Sequence, residues 1–308
     1  MNKLVITGVG GFVGQHVATL AQNTWEVHGI GYNPEINNAL RATLSSYTAR
    51  DLTDESAVQR LNVEDSNTVI HLAGLASPFE SFSQPAKFIA DNTSMLINLC
   101  EPILAAKSKT RIIMISTGAL YAGDQAMPLT ESSRTAAANP YVVSKLAMED
   151  LASYYRARGL DIIVVRPFNH IGPGQLPGYL VPDLVSKLQT YRKTNDPMKV
   201  GNLATRRDYT DVRDVARAYL ALATATNLSD TTYNVCSGVS HSGQEILQML
   251  ARIMEIELPD VAIQVDRSLI RPTDIAEIYG SNELLRGATG WQPTIALEQT
   301  LKDTIEAA

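Results

Sequence analysis

Tyr141-Val142-Val143-Ser144-Lys145 places a phenol and an ammonium four residues apart, which on a helix is one face. A free phenol titrates near pH ~10 and exchanges protons poorly at neutral pH unless a neighbouring cation lowers its pKa. Lys145 is a candidate for that cation, and the pair would then serve as acid or base toward a carbonyl or hydroxyl substrate. An exposed helix with an incidental Tyr is the alternative, since the spacing alone is common. Two upstream features favour chemistry. Asn139-Pro140 suits a helix start, and Ser116-Thr117 follows a buried strand-like run, at the edge where open parallel sheets gather reactive side chains.

Such side chains need a frame. Residues 4–6, 27–30, 68–72, 112–115 and 162–165 are continuous rather than alternating apolar runs, as expected of strands covered on both faces of a parallel sheet, with 45–49 a weaker addition. Plausible helices lie between them at 12–21, 55–61, 88–106 and 141–158, the third containing Pro102 as a point for a kink. Alternation of this kind implies right-handed crossovers and a doubly wound sheet. Past about residue 166 the alternation breaks into a Gly- and Pro-rich stretch, PFNHIGPGQLPG. A strand at 231–236 and helices at 242–254 and 296–305 follow, as in a second lobe interleaved with the sheet.

Between the first strand and the first helix stands Thr7-Gly8-Val9-Gly10-Gly11-Phe12-Val13-Gly14, with Gly8, Gly11 and Gly14 in GxxGxxG spacing. Small residues there allow a tight turn and a close backbone approach to a pyrophosphate, which the helix N-terminus attracts through its unpaired N–H groups and dipole. The spacing is also compatible with a purely structural glycine turn; its place between strand and helix favours a dinucleotide. After the second strand come Gly31-Tyr32-Asn33, with neither the acid that suits a free ribose 2′-OH nor the Arg that suits a 2′-phosphate, so NAD and NADP both remain. Asp51 and Leu52, after the third strand, could meet the adenine through a carboxylate and adjacent backbone; an ordinary acid at a helix start is the other reading.

The 308 residues, 45% hydrophobic and 19% charged, exclude a disordered or fibrous chain. A net charge of −6 without a basic block excludes a broad polyanion-binding surface, so no nucleic-acid partner is expected. Cys100 and Cys236 cannot form a metal cluster by themselves, no metal site is expected, and a reducing compartment suits them. No apolar run has the ~18 residues of a membrane span, and MNKLVITGVGG lacks a signal-peptide core. These features point to a cytoplasmic protein.

Taken in order, TGVGGFVG, VIHLAG, ISTGALYAG, PYVVSK, RPFNHIGPGQ, RRDYTDVRDVARAY and YNVCSG resemble the extended short-chain dehydrogenase/reductase family of nucleotide-sugar epimerases, dehydratases and reductases over almost the whole chain. The resemblance implies an α/β fold: a Rossmann-type doubly wound parallel sheet with a smaller, interleaved C-terminal substrate-binding lobe. Residues 1–166 and parts of 205–240 would form the NAD(P)-binding domain, and 167–204 and 241–308 mainly the substrate lobe. It implies Thr117, Tyr141 and Lys145 as the catalytic triad. Cofactor contacts would fall on Gly8, Gly11, Phe12, Val13, Gly14, Asn33, Asp51, Leu52, Leu72, Ala73, Gly74 and Pro167, with Tyr141 and Lys145, the latter holding the nicotinamide ribose. Substrate contacts would come from Thr117, Asn169, Arg207 and Arg271, the arginines gripping phosphate oxygens with their forks.

Dehydratases of the family carry an acid two positions after the catalytic Thr, where this chain has Ala119. An alanine cannot shuttle protons, whereas ketoreduction needs only hydride and a proton from Tyr141. The segments RPFNHIGPGQ, RRDYTDVRDV, YNVCSG and TGWQP most resemble the branch that reduces GDP-4-dehydro-6-deoxy-D-mannose to GDP-D-rhamnose, and several are shared with GDP-mannose dehydratases. An NDP-hexose C4 epimerase with tightly bound NAD, a 4,6-dehydratase, or a non-catalytic nucleotide-sensing relative are the other readings. His71 and His170 are expected in packing, and Arg206 and Arg213 in solvated or structural roles. The apolar excess of helices 88–106 and 141–158 implies, by the same resemblance, a homodimer through a four-helix interface.

Overall fold

The computed structural model describes residues 1–266 and 275–308. The continuous apolar runs form parallel strands β1 (Asn2–Thr7), β2 (Trp25–Gly31), β3 (Ser46–Ala49), β4 (Thr68–His71), β5 (Arg111–Ile115) and β6 (Asp161–Pro167). After them come β7 (Asn169–Ile171), β8 (Met198–Val200), β9 (Arg206–Asp211), β10 (Thr232–Val235), β11 (Ser240–Ser242), β12 (Ile263–Val265) and β13 (Glu277–Ile278). The helices are α1 (Phe12–Ala21), α2 (Asn38–Ala42), α3 (Glu55–Val58), α4 (Pro78–Ser81), α5 (Pro85–Ala105), α6 (Pro140–Ala157), α7 (Leu180–Thr194), α8 (Val212–Thr224), α9 (Gly243–Ile253), α10 (Glu283–Thr289) and α11 (Leu297–Glu306).

The main sheet runs β10-β6-β5-β4-β1-β2-β3, every pair parallel. Strand periodicity sorts its side chains between two cores. Leu4, Ile6, Ile70, Ile113, Ile163 and Val165 pack in a cluster with residues of α1 and α8, while Val5, Val69, Ile112, Met114, Ile162 and Val164 pack with residues of α5 and α6. With both faces covered, alternation disappears from the sequence, which is why these runs read as unbroken apolar stretches. The chain leaves β1 first toward β2 and then returns to β4 on its other side; the order reverses there, and a crevice opens at the carboxyl ends of the strands.

A smaller sheet gathers around β9, which pairs antiparallel with β11 and parallel with β7 and β13. A separate core draws on α7, α9, α11 and β8 beside it, with Val181, Leu184, Leu188, Ile246, Leu250 and Leu301 buried. A fourth cluster, including Phe88, Leu120, Tyr121, Tyr141, Phe168 and Cys236, sits at the carboxyl ends of β5, β6 and β10.

Two local expectations change. The helix expected over 55–61 is one turn, Glu55–Val58, capped by Asp54 at Ala57 N; Asn62 then takes a left-handed φ of 49° and starts a short turn at Val63–Asp65 that buries Val63. Pro102 does not interrupt α5. It lies in the last turn, where few hydrogen bonds remain to be lost, and its carbonyl accepts from Ala106 N at 3.0 Å.

Candidate active site

Local signals at the ends of β5 and α6 bring three reactive side chains together. Thr117, just past β5, caps the following turn, its Oγ1 accepting from Ala119 N at 3.1 Å. Asn139 caps α6 by accepting from Val142 N at 2.9 Å, and Pro140 occupies the first turn, so Tyr141 stands at the helix mouth with Lys145 one turn deeper. Thr117 stands near enough to Tyr141 for its hydroxyl to favour the phenolate form. Lys145 Nζ donates to Ile115 O at 2.8 Å and lies 5.9 Å from the centre of the Tyr141 ring. All three side chains are buried, Lys145 to 6% exposure.

Burial, more than the Lys–Tyr pairing, sets the protonation states. It pushes the Tyr141 phenol up to about 12, against the Thr117 hydroxyl, which acts in the opposite direction. The sequence suggested a lowered phenol; the desolvation that comes with its packing reverses the sign. Burial also pushes Lys145 down to about 8, opposed by the negative charge of Glu149. At neutral pH the pair is therefore a protonated phenol beside a largely charged ammonium, a state ready to give a proton rather than take one.

The glycine loop runs beside this trio. Gly8 has φ 67°, and a Cβ there would lie 2.7 Å from Ala73 N; at Gly14 it would lie 2.6 Å from Gly8 O. Both would collide with backbone, so only glycine permits the turn. Gly11 caps α1 with extended backbone and supplies no side-chain partner, leaving N–H groups of Phe12, Val13 and Gly14 directed out of the helix start. Across the crevice, Ala73 N donates to Thr7 Oγ1, and Asn92 holds Leu75 by accepting from its N at 2.8 Å and donating to its O at 3.1 Å. A Cβ on Gly74 would stand 3.8 Å from Lys145 Nζ, so the Leu72-Ala73-Gly74 segment links the glycine cradle to the reactive trio. Backbone of this shape leaves room and N–H donors for a pyrophosphate.

At the far end of the crevice, Tyr32 is 77% exposed and the Tyr47 hydroxyl donates to Asn33 O. Asp51 accepts from Thr53 N and Oγ1 at 2.9 and 2.8 Å, closing its own turn, while Leu52 points into the core and its carbonyl accepts from Asn98 Nδ2 at 2.9 Å. Pro167 ends β6, buried.

Of the substrate-side residues, Asn169 is exposed and opens β7 opposite Tyr209 of β9. Arg207, two residues earlier on β9, donates from Nη1 to Arg206 O and Ile275 O, both at 2.8 Å. The strand pairing thus brings Asn169 and Arg207 to one small sheet. Arg271 lies outside the described residues. Arg206 pairs with Glu245 at 2.6 Å and Arg213 with Asp211 and Asp303 at 2.6 Å, the structural roles their positions suggested. His71 is buried with Nδ1 2.9 Å from Thr7 Oγ1, and burial pushes its pKa down to about 3, so it remains neutral. His170 leans on Phe12, ring centroids 6.0 Å apart and nearly parallel, with Nδ1 3.0 Å from Phe168 O. Both cysteines are buried. Among the described residues no cluster of His, Cys, Asp and Glu is placed to hold a metal ion, and no helix is long and apolar enough to cross a membrane.

Residues 4–236 match the model of the NAD dependent epimerase/dehydratase family. The chain belongs to that family. It is similar to a GDP-6-deoxy-D-mannose reductase of Pseudomonas aeruginosa, 32% identical with 97% of this chain and 95% of the relative covered. A GDP-6-deoxy-D-talose 4-dehydrogenase of Aggregatibacter actinomycetemcomitans is 30% identical, covering 94% and 91%. The solved structure of RMD from Pseudomonas aeruginosa complexed with NADPH superposes with a TM-score of 0.84 at 31% identity, covering 100% of this chain and 98% of that one.

Within this member of the epimerase/dehydratase family, sequence reasoning passed over several side chains that build the site. Asn92 bonds Leu75 and donates to Ser144 Oγ at 2.9 Å, tying α5 to α6 behind Gly74. In sequence it lies within the polar run Asp91-Asn92-Thr93-Ser94, and nothing local singled it out. Glu149 takes Ser116 and Arg166; its signal was the four-residue spacing from Lys145, the same spacing that flagged Tyr141. Tyr179, half exposed before α7, adds to the upward push on Tyr141, and nothing local in the sequence marked it.

Proposed function

We propose that the chain reduces the 4-keto group of a GDP-linked 6-deoxyhexose with NADPH or NADH, converting GDP-4-dehydro-6-deoxy-D-mannose to GDP-D-rhamnose. The carrying observation is the composition of the Thr117 turn: Thr117 and Tyr141 form a buried proton-donating pair, while Ala119, two residues on, offers a methyl group where elimination of water would need a carboxylate. Full-length similarity to the reductase and the 4-dehydrogenase of GDP-6-deoxy sugars supports the same choice.

A nicotinamide cofactor held by the glycine loop and its neighbours would supply hydride to C4. Thr117 and Tyr141 orient the carbonyl oxygen, and as the C–O π electrons move onto that oxygen, Tyr141 transfers its proton to it. Lys145 holds a positive charge next to the phenolate so formed until solvent returns the proton. The start of α1 and Gly8, Gly11 and Gly14 hold the cofactor diphosphate, with Leu72, Ala73, Gly74 and Pro167 along its length and Asn33, Asp51 and Leu52 toward its adenosine. Residues 1–166 with parts of 205–240 carry this half, and 167–204 with 241–308 hold the sugar nucleotide through Asn169, Arg207 and Arg271. We further assign the α5 and α6 faces to a homodimer, in a reducing cytoplasmic setting where Cys100 and Cys236 stay thiols.

Purified protein given the ketosugar should oxidise added NADPH or NADH one for one. Retention of NAD through purification, with interconversion of C4 epimers and no net cofactor consumption, would replace this reading by an epimerase. Mass measurement in solution checks the dimer: a single-chain mass would refute it.

A further inference from the structure

Glu149 stands one helical turn beyond Lys145, so Tyr141, Lys145 and Glu149 follow each other along one stripe of α6. Its carboxylate is fully engaged. Oε1 accepts from Ser116 Oγ at 2.5 Å and from Arg166 Nε at 3.0 Å, and Oε2 from Arg166 Nη2 at 2.6 Å. Ser116 lies between Ile115, whose carbonyl receives Lys145 Nζ, and Thr117; its own N donates to Val165 O at 2.7 Å. Arg166 leads into Pro167 and Asn169 and is itself fixed by Tyr121 OH at 2.9 Å and Glu131 O at 3.0 Å. One carboxylate therefore joins the helix that carries Tyr141 and Lys145 to the two strand ends that carry Thr117 and Asn169.

Stability alone does not account for such an arrangement. The Glu149 and Arg166 side chains are 13% and 10% exposed, and a buried ion pair roughly balances its own desolvation, so apolar residues would hold the fold as well. What an apolar pair would not provide is negative charge near Lys145. Beside that ammonium stand the neutral His71 from β4, the Ile115 carbonyl from β5 and the neutral Tyr141 phenol; Glu149, one turn further along α6 and paired with Arg166 of β6 rather than with Lys145, is the anion that favours its charged form among the described residues.

We propose that Glu149 is a positioning residue, which locks the catalytic helix to the ends of β5 and β6 and provides the counter-charge that keeps Lys145 an ammonium. This rests on the reading of Lys145 as the cation beside Tyr141, and the test is read first without substrate. In lysine-labelled protein, the Lys145 signal, assigned by its loss in Lys145→Arg, is titrated by NMR. In Glu149→Gln its midpoint should fall by about one pH unit, with the alkaline limb of kcat/KM moving by the same amount and KM changing little, because a neighbouring opposite charge is worth about that much. Glu149→Asp, which keeps the charge, should restore most of the midpoint. If Glu149→Gln does not fold because Arg166 is left unpaired, Glu149→Gln/Arg166→Gln removes both charges, and a smaller fall in the same direction is expected, because loss of the Arg166 cation offsets part of the loss of the anion. An unchanged Lys145 midpoint in whichever variant folds overturns the proposal. A lowered midpoint upholds it even where wild-type protein reduces no ketosugar, a result that would instead overturn the reductase reading.

Discussion

The wall formed by β5, β6 and α6 buries its basic side chains, whereas the small sheet around β9 leaves Arg206 and the neighbouring Arg213 partly wet. In the wall, Lys145, Glu149 and Arg166 are almost wholly buried and every one is committed to short hydrogen bonds. Around β9, Arg206 and Arg213 keep 37% and 30% of their side chains in contact with solvent, Arg206 pairing with the part-exposed Glu245 and Arg213 with the buried Asp211, and Asn169 is exposed. The contrast teaches where each task can be placed. Proton transfer needs pKa values held away from their solution values, which only desolvation and fixed neighbours provide. Recognition of a large phosphorylated ligand needs side chains that can exchange water for ligand at small cost, and these must remain partly wet.

That contrast is open to attack from both sides. Tyr141→Phe removes the proposed proton donor from the wall with almost no loss of packing; turnover should drop by on the order of 10²–10⁴ while cofactor affinity, followed by fluorescence titration, stays near wild type. Undiminished turnover would remove the wall from the chemistry. On the β9 side, Arg207→Ala should raise KM for the sugar nucleotide by roughly ten- to a hundredfold with a smaller change in kcat, as expected for loss of a charge-assisted contact to phosphate. Arg206→Ala, whose partners are Glu245 and Glu277, should leave KM within about twofold; equal effects of the two would remove the proposed substrate role of Arg207.

The pH profile sharpens the comparison further. Lys145 is charged below its lowered value of about 8 and loses its proton above it, so kcat/KM should decline by roughly tenfold per pH unit on the alkaline side, while Tyr141, pushed up to about 12, stays protonated throughout. Arg207→Ala should leave that limb in place. A last effect concerns stability. His71 is held neutral with a value of about 3 in the fold, so between its ordinary value of ~6.5 and 3 the unfolded chain takes up a proton that the folded one does not, and stability falls as pH drops through that window. Thermal melts of His71→Asn should show a shallower acid decline than wild type.

Much of the site was legible because its signals are local. A Tyr and a Lys four apart share a helix face by geometry, glycines between a strand and a helix mark a backbone that must turn tightly, and apolar runs without alternation imply a sheet covered on both sides. These features need no knowledge of the rest of the chain, and the seven-stranded parallel sheet and the Thr117, Tyr141 and Lys145 cluster stand where they pointed. The same locality failed at 55–61, where Asn62 and Val63 end the helix early because Val63 is drawn into the core under α5.

What tertiary structure alone decided was the electrical state of those residues. The phenol of Tyr141 moves up rather than down because it is buried in one cluster with Phe88, Leu120 and Phe168, brought from distant parts of the chain, and this outweighs the opposite effect of Thr117. Glu149 joins Ser116 and Arg166 from two other strand ends, and Asn92 reaches Leu75 and Ser144 from a third element. Spacing along a chain states which groups can face one another; burial, and with it protonation, depends on which remote segments fold over them.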